Sequence, residues 1–269
     1  MATRDMTEWQ TAIAQVRSSP REEVIEVRGR SLADLVGRAS FAETTYLLIV
    51  GRLPTPAQGR VLDALLVASI EHGIAPPSMI ARCFASYGTS LQAAIGGGVI
   101  SFGDRMGGAG EALAKAMHER VTAAVAAAKG ATLDDAAIAA IADAMIAEAR
   151  ARNERLSGFG IPLHRRDPRS PLLLEVARRE GVFGTYCRLA QALEQRVVTR
   201  DGRPVPLNLD GVAAALILDL GIPWQAARLF IIMPRTVSMA AHYLEEAGQD
   251  SHWRHLREDQ IGYTRGGED

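Results

Sequence analysis

Asp210 stands in Leu207-Asn208-Leu209-Asp210-Gly211, a carboxylate among apolar neighbours where a helix begins. Two kinds of chemistry fit that setting. The side chain can cap the helix, a common stabilising role. In an apolar pocket it can instead exchange protons, because desolvation raises a carboxyl pKa towards the working range. The segment by itself favours the cap.

Four other runs set polar or cationic groups beside glycine or proline. Glu71-His72-Gly73 closes a helix expected over 55–70. A histidine there suits the negative end of the helix dipole, so a capping role is the simpler reading. The run from Ile95 to Glu111 is dense in glycine. It allows close backbone approach to a ligand, or equally close helix packing. It is not a dinucleotide fingerprint, because no strand-turn-helix frame surrounds it. In Gly158-Phe159-Gly160-Ile161-Pro162-Leu163-His164-Arg165-Arg166-Asp167-Pro168-Arg169, a histidine and three arginines fall close together. That loop is either a solvated charge run or a site for carboxylates or phosphates, which the arginine fork grips bidentately. Arg235, just after Pro234, can aim at an anion too.

The elements that must hold these groups read as helices. Ser40-Phe41-Ala42-Glu43 has the form of a capping box and Gly51 that of a stop. Thr55-Pro56-Ala57-Gln58 repeats the device, and Val61, Leu62, Leu65 and Leu66 then share one helical face. Residues 111–150 are alanine-rich, with a fresh start at Thr132-Leu133-Asp134-Asp135. One helix is expected over 171–195, a hairpin or irregular loop over 197–210, and a helix from Gly211 to about Leu220. A last helix runs from Pro223 towards Gly248, interrupted at Pro234. REEVIEVRGR, near 21–30, is the one convincing strand, and the polar tail can reach a partner subunit. The class is mainly α. The expected division is a large domain, 1–107 with 207–269, and a smaller one, 108–206.

Composition narrows the functions. Thirty basic side chains against thirty-one acidic ones argue against a nucleic-acid or membrane partner held by bulk charge. No apolar run approaches the roughly 18 residues of a membrane span, and MATRDMTEWQ has no apolar stretch of signal-peptide type, so export is not expected. Cys83 and Cys187 suit a reducing compartment, so a cytoplasmic location is expected. No CxxC or HExxH suggests a metal, and His252 and His255 read as solvated.

Taken in order, the pieces resemble the citrate synthase family. The resemblance is carried by RGRSLADLVGRASFAETTYLLIVGRLPT, the His72 segment, GDRMGGAGEA, GFG with DPR, LNLDG and PRTVSMAAHYLEE. It implies a mainly helical, citrate synthase-like fold, a large domain with a smaller one closing over the active-site cleft, usually a dimer. It also implies chemistry that makes or breaks a carbon–carbon bond between acetyl-CoA and a 2-oxo acid. The GDR-x-GGAGEA form resembles the branch with citryl-CoA lyases and the C-terminal module of ATP-citrate lyase.

Matched residue by residue, the resemblance implies that His72 contacts oxaloacetate and that Arg169 and Arg235 grip carboxylates. A third arginine, lent by the neighbouring subunit, falls near Arg257. Asp210 matches the aspartate that moves a proton at the acetyl carbon. Gly158, Phe159 and Gly160 match the loop beside the CoA adenine, and Arg165 a phosphate contact. Two positions depart from the synthase pattern: Met106 replaces a histidine that hydrogen-bonds the enolate, and Ile161 one that acts on the carbonyl or hydroxyl of the four-carbon acid. Neither side chain can donate a hydrogen bond. His164 is the candidate to replace the second.

The implied activity is retro-Claisen cleavage of citryl-CoA, a 3-hydroxy-3-carboxyacyl-CoA, to acetyl-CoA and oxaloacetate. The alternatives are condensation in the synthase direction, or a weakened homologue that binds CoA and a dicarboxylate. The implied partners are an acyl-CoA, di- or tricarboxylates and a second copy of the chain, as a homodimer or higher homo-oligomer. No cofactor is expected beyond the coenzyme A of the substrate.

Overall fold

A computed structural model describes residues 9–162, 164–249 and 253–263. His252, Leu163, the first eight residues and parts of the tail lie outside the described residues. Within them the chain is mainly α, as expected, with three short strands near the N-terminus. β1 (Ala14–Ser19) pairs antiparallel with β2 (Glu22–Val27), Val16 opposite Ile25, and β3 (Arg30–Ser31) adds to the other side of β2. β2 is the strand expected from REEVIEVRGR. Its partner AQVRSS has too little apolar alternation to stand out.

Local signals place most of the helices. After α1 (Leu32–Leu35), α2 (Phe41–Val50) opens on the Ser40–Glu43 capping box and stops at Gly51, whose φ of 88° is left-handed. α3 (Pro56–Ser69) starts with a reciprocal pair: Thr55 N–H donates to Gln58 Oε1 at 3.0 Å and Gln58 N–H to Thr55 Oγ1 at 3.2 Å. α4 (Pro76–Ser86), α5 (Leu91–Ile100) and α6 (Ala109–Ala127) follow. Asp134 caps α7 (Asp135–Ala151), accepting from the Ala137 N–H at 2.8 Å.

The expected single helix over 171–195 is two, α8 (Arg169–Arg179) and α9 (Thr185–Glu194), broken where Gly181 takes a φ of 69°. The new start is held by Asp219, at the end of α10 (Leu209–Asp219). Its carboxylate accepts the N–H groups of Gly184, Tyr186 and Cys187 at 2.9–3.0 Å. A Cβ on Gly184 would lie 2.5 Å from that carboxylate. Asp219→Ala strands these buried donors, so we expect a loss of about 1–3 kcal/mol in urea unfolding.

The last helix also differs from expectation. A 3-10 turn (Trp224–Ala226) precedes α11 (Leu229–Gly248), which runs through Pro234 without a break. Proline removes one backbone bond there. The buried side chains Phe230, Ile231, Arg235 and Met239 keep helix on both sides of it. Among the described residues no helix is long and apolar enough to cross a membrane.

The chain divides into two compact units. One comprises the described residues of Met1–Ser69 and Gly107–Ile231, the other those of Ile70–Met106 and Ile232–Asp269. In the first, α3, α6, α8 and α9 pack around α10. Leu209 and every residue from Gly211 to Leu218 are buried, the signature of a helix enclosed on all sides. The stretch 108–206, expected as a smaller lobe, therefore shares a core with α3 and α10. In the second unit Ala81, Ala94 and Met239 bring α4, α5 and α11 together. Here part of the glycine run does packing work: a Cβ on Gly97 would stand 3.0 Å from the Phe84 ring, and one on Gly98 would overlap Met239 Sδ.

Candidate active site

In the first unit, glycines fix where Asp210 sits. A Cβ on Gly110 would stand 3.0 Å from the Asp210 carbonyl oxygen, and one on Gly158 2.8 Å from Gly211 Cα. One on Gly211 would overlap the Gly158 carbonyl. The start of α6, the Gly158–Gly160 loop and the first turn of α10 thus touch backbone to backbone. The loop is tied down further: Gly160 N–H donates to Pro206 O at 2.8 Å and Asn208 Nδ2 to Gly160 O at 2.6 Å.

Asp210 is not the helix cap. Asn208 is, its side-chain oxygen accepting the Gly211 N–H at 3.1 Å. An Asx side chain just before the helical run was the available signal. Asp210 occupies the second helical position and is half-buried.

A second acid, Asp167 of the Asp-Pro-Arg motif, holds Arg169. Asp167 is fully buried, and its carboxylate takes Arg169 Nε at 2.9 Å and Nη2 at 2.8 Å. It also accepts the Leu209 N–H at 3.0 Å, joining the arginine to the start of α10. Burial pushes the Asp167 carboxyl up, but Arg169 and the two backbone donors outweigh burial and hold it below the usual carboxylate range. The remaining Arg169 nitrogen, Nη1, is buried with no hydrogen-bond acceptor. A guanidinium preset by one carboxylate, with a donor still unmatched, is suited to a second carboxylate.

Ile161 and His164 pair as an antiparallel bridge, with His164 exposed. Residues directly opposite in such a bridge project to the same side, so Ile161 and His164 share a face. Arg165, with Arg166, Glu194 and Pro204–Pro206, lines a shallow cavity of about 470 Å³. A larger hollow of about 590 Å³, near Arg30 and Arg38, contains none of the expected site residues.

In the second unit His72 lies three residues past the end of α3, so it does not close that helix. Its backbone N–H donates to Glu71 Oε1 at 2.8 Å. Glu71 also accepts the Ser238 hydroxyl, and its Oε2 lies 3.4 Å from His242 Nε2. Burial pushes the Glu71 carboxyl up, yet the Ser238 and His72 hydrogen bonds, with His242 and Arg235 nearby, leave it lowered overall. Glu71 thus links His72 to α11 and to the buried Arg235. Sequence reading passed over Glu71 and His242; the i, i+3, i+7 spacing of Arg235, Ser238 and His242 was the visible hint.

Met106 closes a two-residue turn with Gly103, exchanging backbone bonds of 2.9 and 3.0 Å. Arg257 is exposed and paired with Asp259 at 2.9 Å. The tail is anchored to its own chain by Arg254, which binds Glu246 at 2.7 Å and Ser86 at 2.9 Å. His255 is exposed, its ring 4.2 Å from that of Trp253. Among the described residues no three His, Cys, Asp or Glu side chains gather as a metal site.

The family model for the citrate synthase C-terminal domain matches residues 56–257. The chain belongs to the citrate synthase family. Its citrate synthase-like fold is shared with citryl-CoA lyase from Hydrogenobacter thermophilus, at 31% identity and a TM-score of 0.82 over 97% of this chain and 96% of that one. An ATP citrate lyase of Methanothrix soehngenii, solved in complex with citrate and coenzyme A, shares the fold at 18% identity and a TM-score of 0.76, over 99% of this chain and 43% of that one. The citrate synthase of Heyndrickxia coagulans is 26% identical over 77% of this chain and 52% of its own length. The chain spans about half the length of such curated relatives.

Proposed function

We propose that this member of the citrate synthase family cleaves citryl-CoA to acetyl-CoA and oxaloacetate. The observation that carries the proposal is the near end-to-end likeness to a citryl-CoA lyase at 31% identity. The local geometry is consistent with it. Arg169 and Arg235 grip the carboxylates, and the buried, unsatisfied Arg169 Nη1 is a donor ready for one of them. His164 takes the proton from the tertiary hydroxyl. The carbon–carbon bond then breaks, its electron pair passing to the acetyl carbon as an enolate while the hydroxyl carbon becomes the oxaloacetate carbonyl. His72 polarises that developing carbonyl. Asp210 gives a proton to the enolate carbon, completing acetyl-CoA. Gly158, Phe159, Gly160 and Arg165 hold the CoA portion, so the reaction needs no cofactor beyond the thioester itself. Arg257 completes the site in a homodimer or higher homo-oligomer.

Purified protein given citryl-CoA should release oxaloacetate, read by reduction to malate with NADH consumption. No release, alone or with candidate partner subunits, overturns the proposal. The synthase direction passes through the same enolate, to which Met106 offers no donor either way; the higher identity and fuller coverage of the lyase rank cleavage first. Free thiol from acetyl-CoA plus oxaloacetate would reverse that ranking. Ile161 favours one other reading, a protein that binds CoA and a dicarboxylate without turnover. Calorimetry showing tight binding in the absence of turnover, with activity gained by Ile161→His, would select it.

A further inference from the structure

The second unit contains a chain of polar contacts, hydrogen-bonded as far as His242, that the proposed chemistry does not use. Arg82, on α4, donates from Nε to His242 Nδ1 at 3.0 Å. A nitrogen that accepts carries no proton, so the imidazole proton sits on Nε2, the nitrogen 3.4 Å from Glu71 Oε2. Arg82 is itself immobilised: Nη1 binds Glu246 at 2.8 Å, Nη2 binds Glu245, and Arg254 closes on the far side of the fully buried Glu246 at 2.7 Å. The order is Glu246, Arg82, His242, Glu71 and then the His72 backbone. Glu71 is the exposed link, with 42% of its side chain open to solvent. Its Oε2 is shared by the Ser238 hydroxyl and the His242 ring. Its Oε1 is engaged by the very residue expected to touch substrate.

We infer that His242 is a positioning residue for His72. With the Ser238 hydroxyl, its Nε2–H faces Glu71 Oε2 and keeps the other carboxylate oxygen on the His72 N–H, and so fixes where the His72 imidazole starts. Arg82 selects the tautomer that can do this. The claim about the turn stands on geometry alone; its consequence for catalysis rests on the proposed role of His72.

Two variants separate positioning from bulk. His242→Leu keeps volume and removes both nitrogens. His242→Gln keeps an acceptor for Arg82 and a donor for Glu71. Hydrogen exchange of the His72 amide should speed up about tenfold in the leucine variant, the factor implied by losing one hydrogen bond's net contribution. The glutamine variant should stay within about threefold of the unmodified protein. In turnover, leucine should raise KM for citryl-CoA more than it lowers kcat, and glutamine should restore it. Unchanged exchange at His72 in the leucine variant, or equal damage by glutamine, overturns the inference. If His242→Leu does not fold, the ¹⁵N imidazole spectrum of the unmodified protein decides: a proton on Nδ1 instead of Nε2 refutes the relay. If the unmodified protein cleaves no citryl-CoA, the proposed function falls while the exchange result still judges the relay.

Discussion

Asp210→Asn should lower the proposed citryl-CoA cleavage by about 10²- to 10⁴-fold, the range that a positioned acid or base contributes. The amide matches the carboxyl in size but has no acidic proton to give the enolate carbon. Its structural cost is small, because Asn208 and not Asp210 caps α10. Unfolding free energy should therefore stay within about 0.5 kcal/mol of the unmodified protein, and substrate affinity should change far less than kcat. Single-turnover release of oxaloacetate separates the steps. If Asp210→Asn cleaves at the normal rate, the residue is not the proton donor.

Asp167→Ala should damage both stability and activity. It removes one member of a buried ion pair, which typically costs about 3–5 kcal/mol because the surviving charge is left uncompensated. It also frees Arg169 from its two carboxylate contacts and leaves the Leu209 N–H unmatched at the start of α10. The pH dependence has a definite sign. The folded carboxyl is held below its ordinary value, so its stabilising contribution is present above the unfolded pKa of about 3.9. It drains away as pH falls through the lower, folded pKa. Urea midpoints measured from pH 6 down to 2 should show an acid-side loss in the unmodified protein that is shallower in Asp167→Ala. Equal slopes, or stability within 1 kcal/mol of the unmodified protein at pH 7, would contradict the assignment.

What the sequence discloses follows from how local each interaction is. Ser40 with Glu43, Thr55 with Gln58, and Asp134 with Ala137 act within three residues, so their helix starts are legible without coordinates. The start of α9 is set by Asp219 over a separation of 35 residues to Gly184, and no local pattern announces it. Pro234 misleads for the opposite reason: its local cost is plain, while the burial that outweighs it is tertiary. Of the candidate site, the ordered motifs marked Asp210, Arg169, His72 and Arg235. Asp167 and Glu71 hold Arg169 and His72 from one or two residues away, but their ties to Leu209, Ser238 and His242 emerge only when separate segments are brought together.

The contact of Gly110, Gly158 and Gly211 has a mechanical consequence. With no side chains to act as springs, the start of α6, the Gly158–Gly160 loop and the first turn of α10 cannot slide independently. The Asp210 backbone is thereby mounted on a stiff bearing, so under the proposed chemistry the approach of acid and carbon is left to the Asp210 side chain and the thioester.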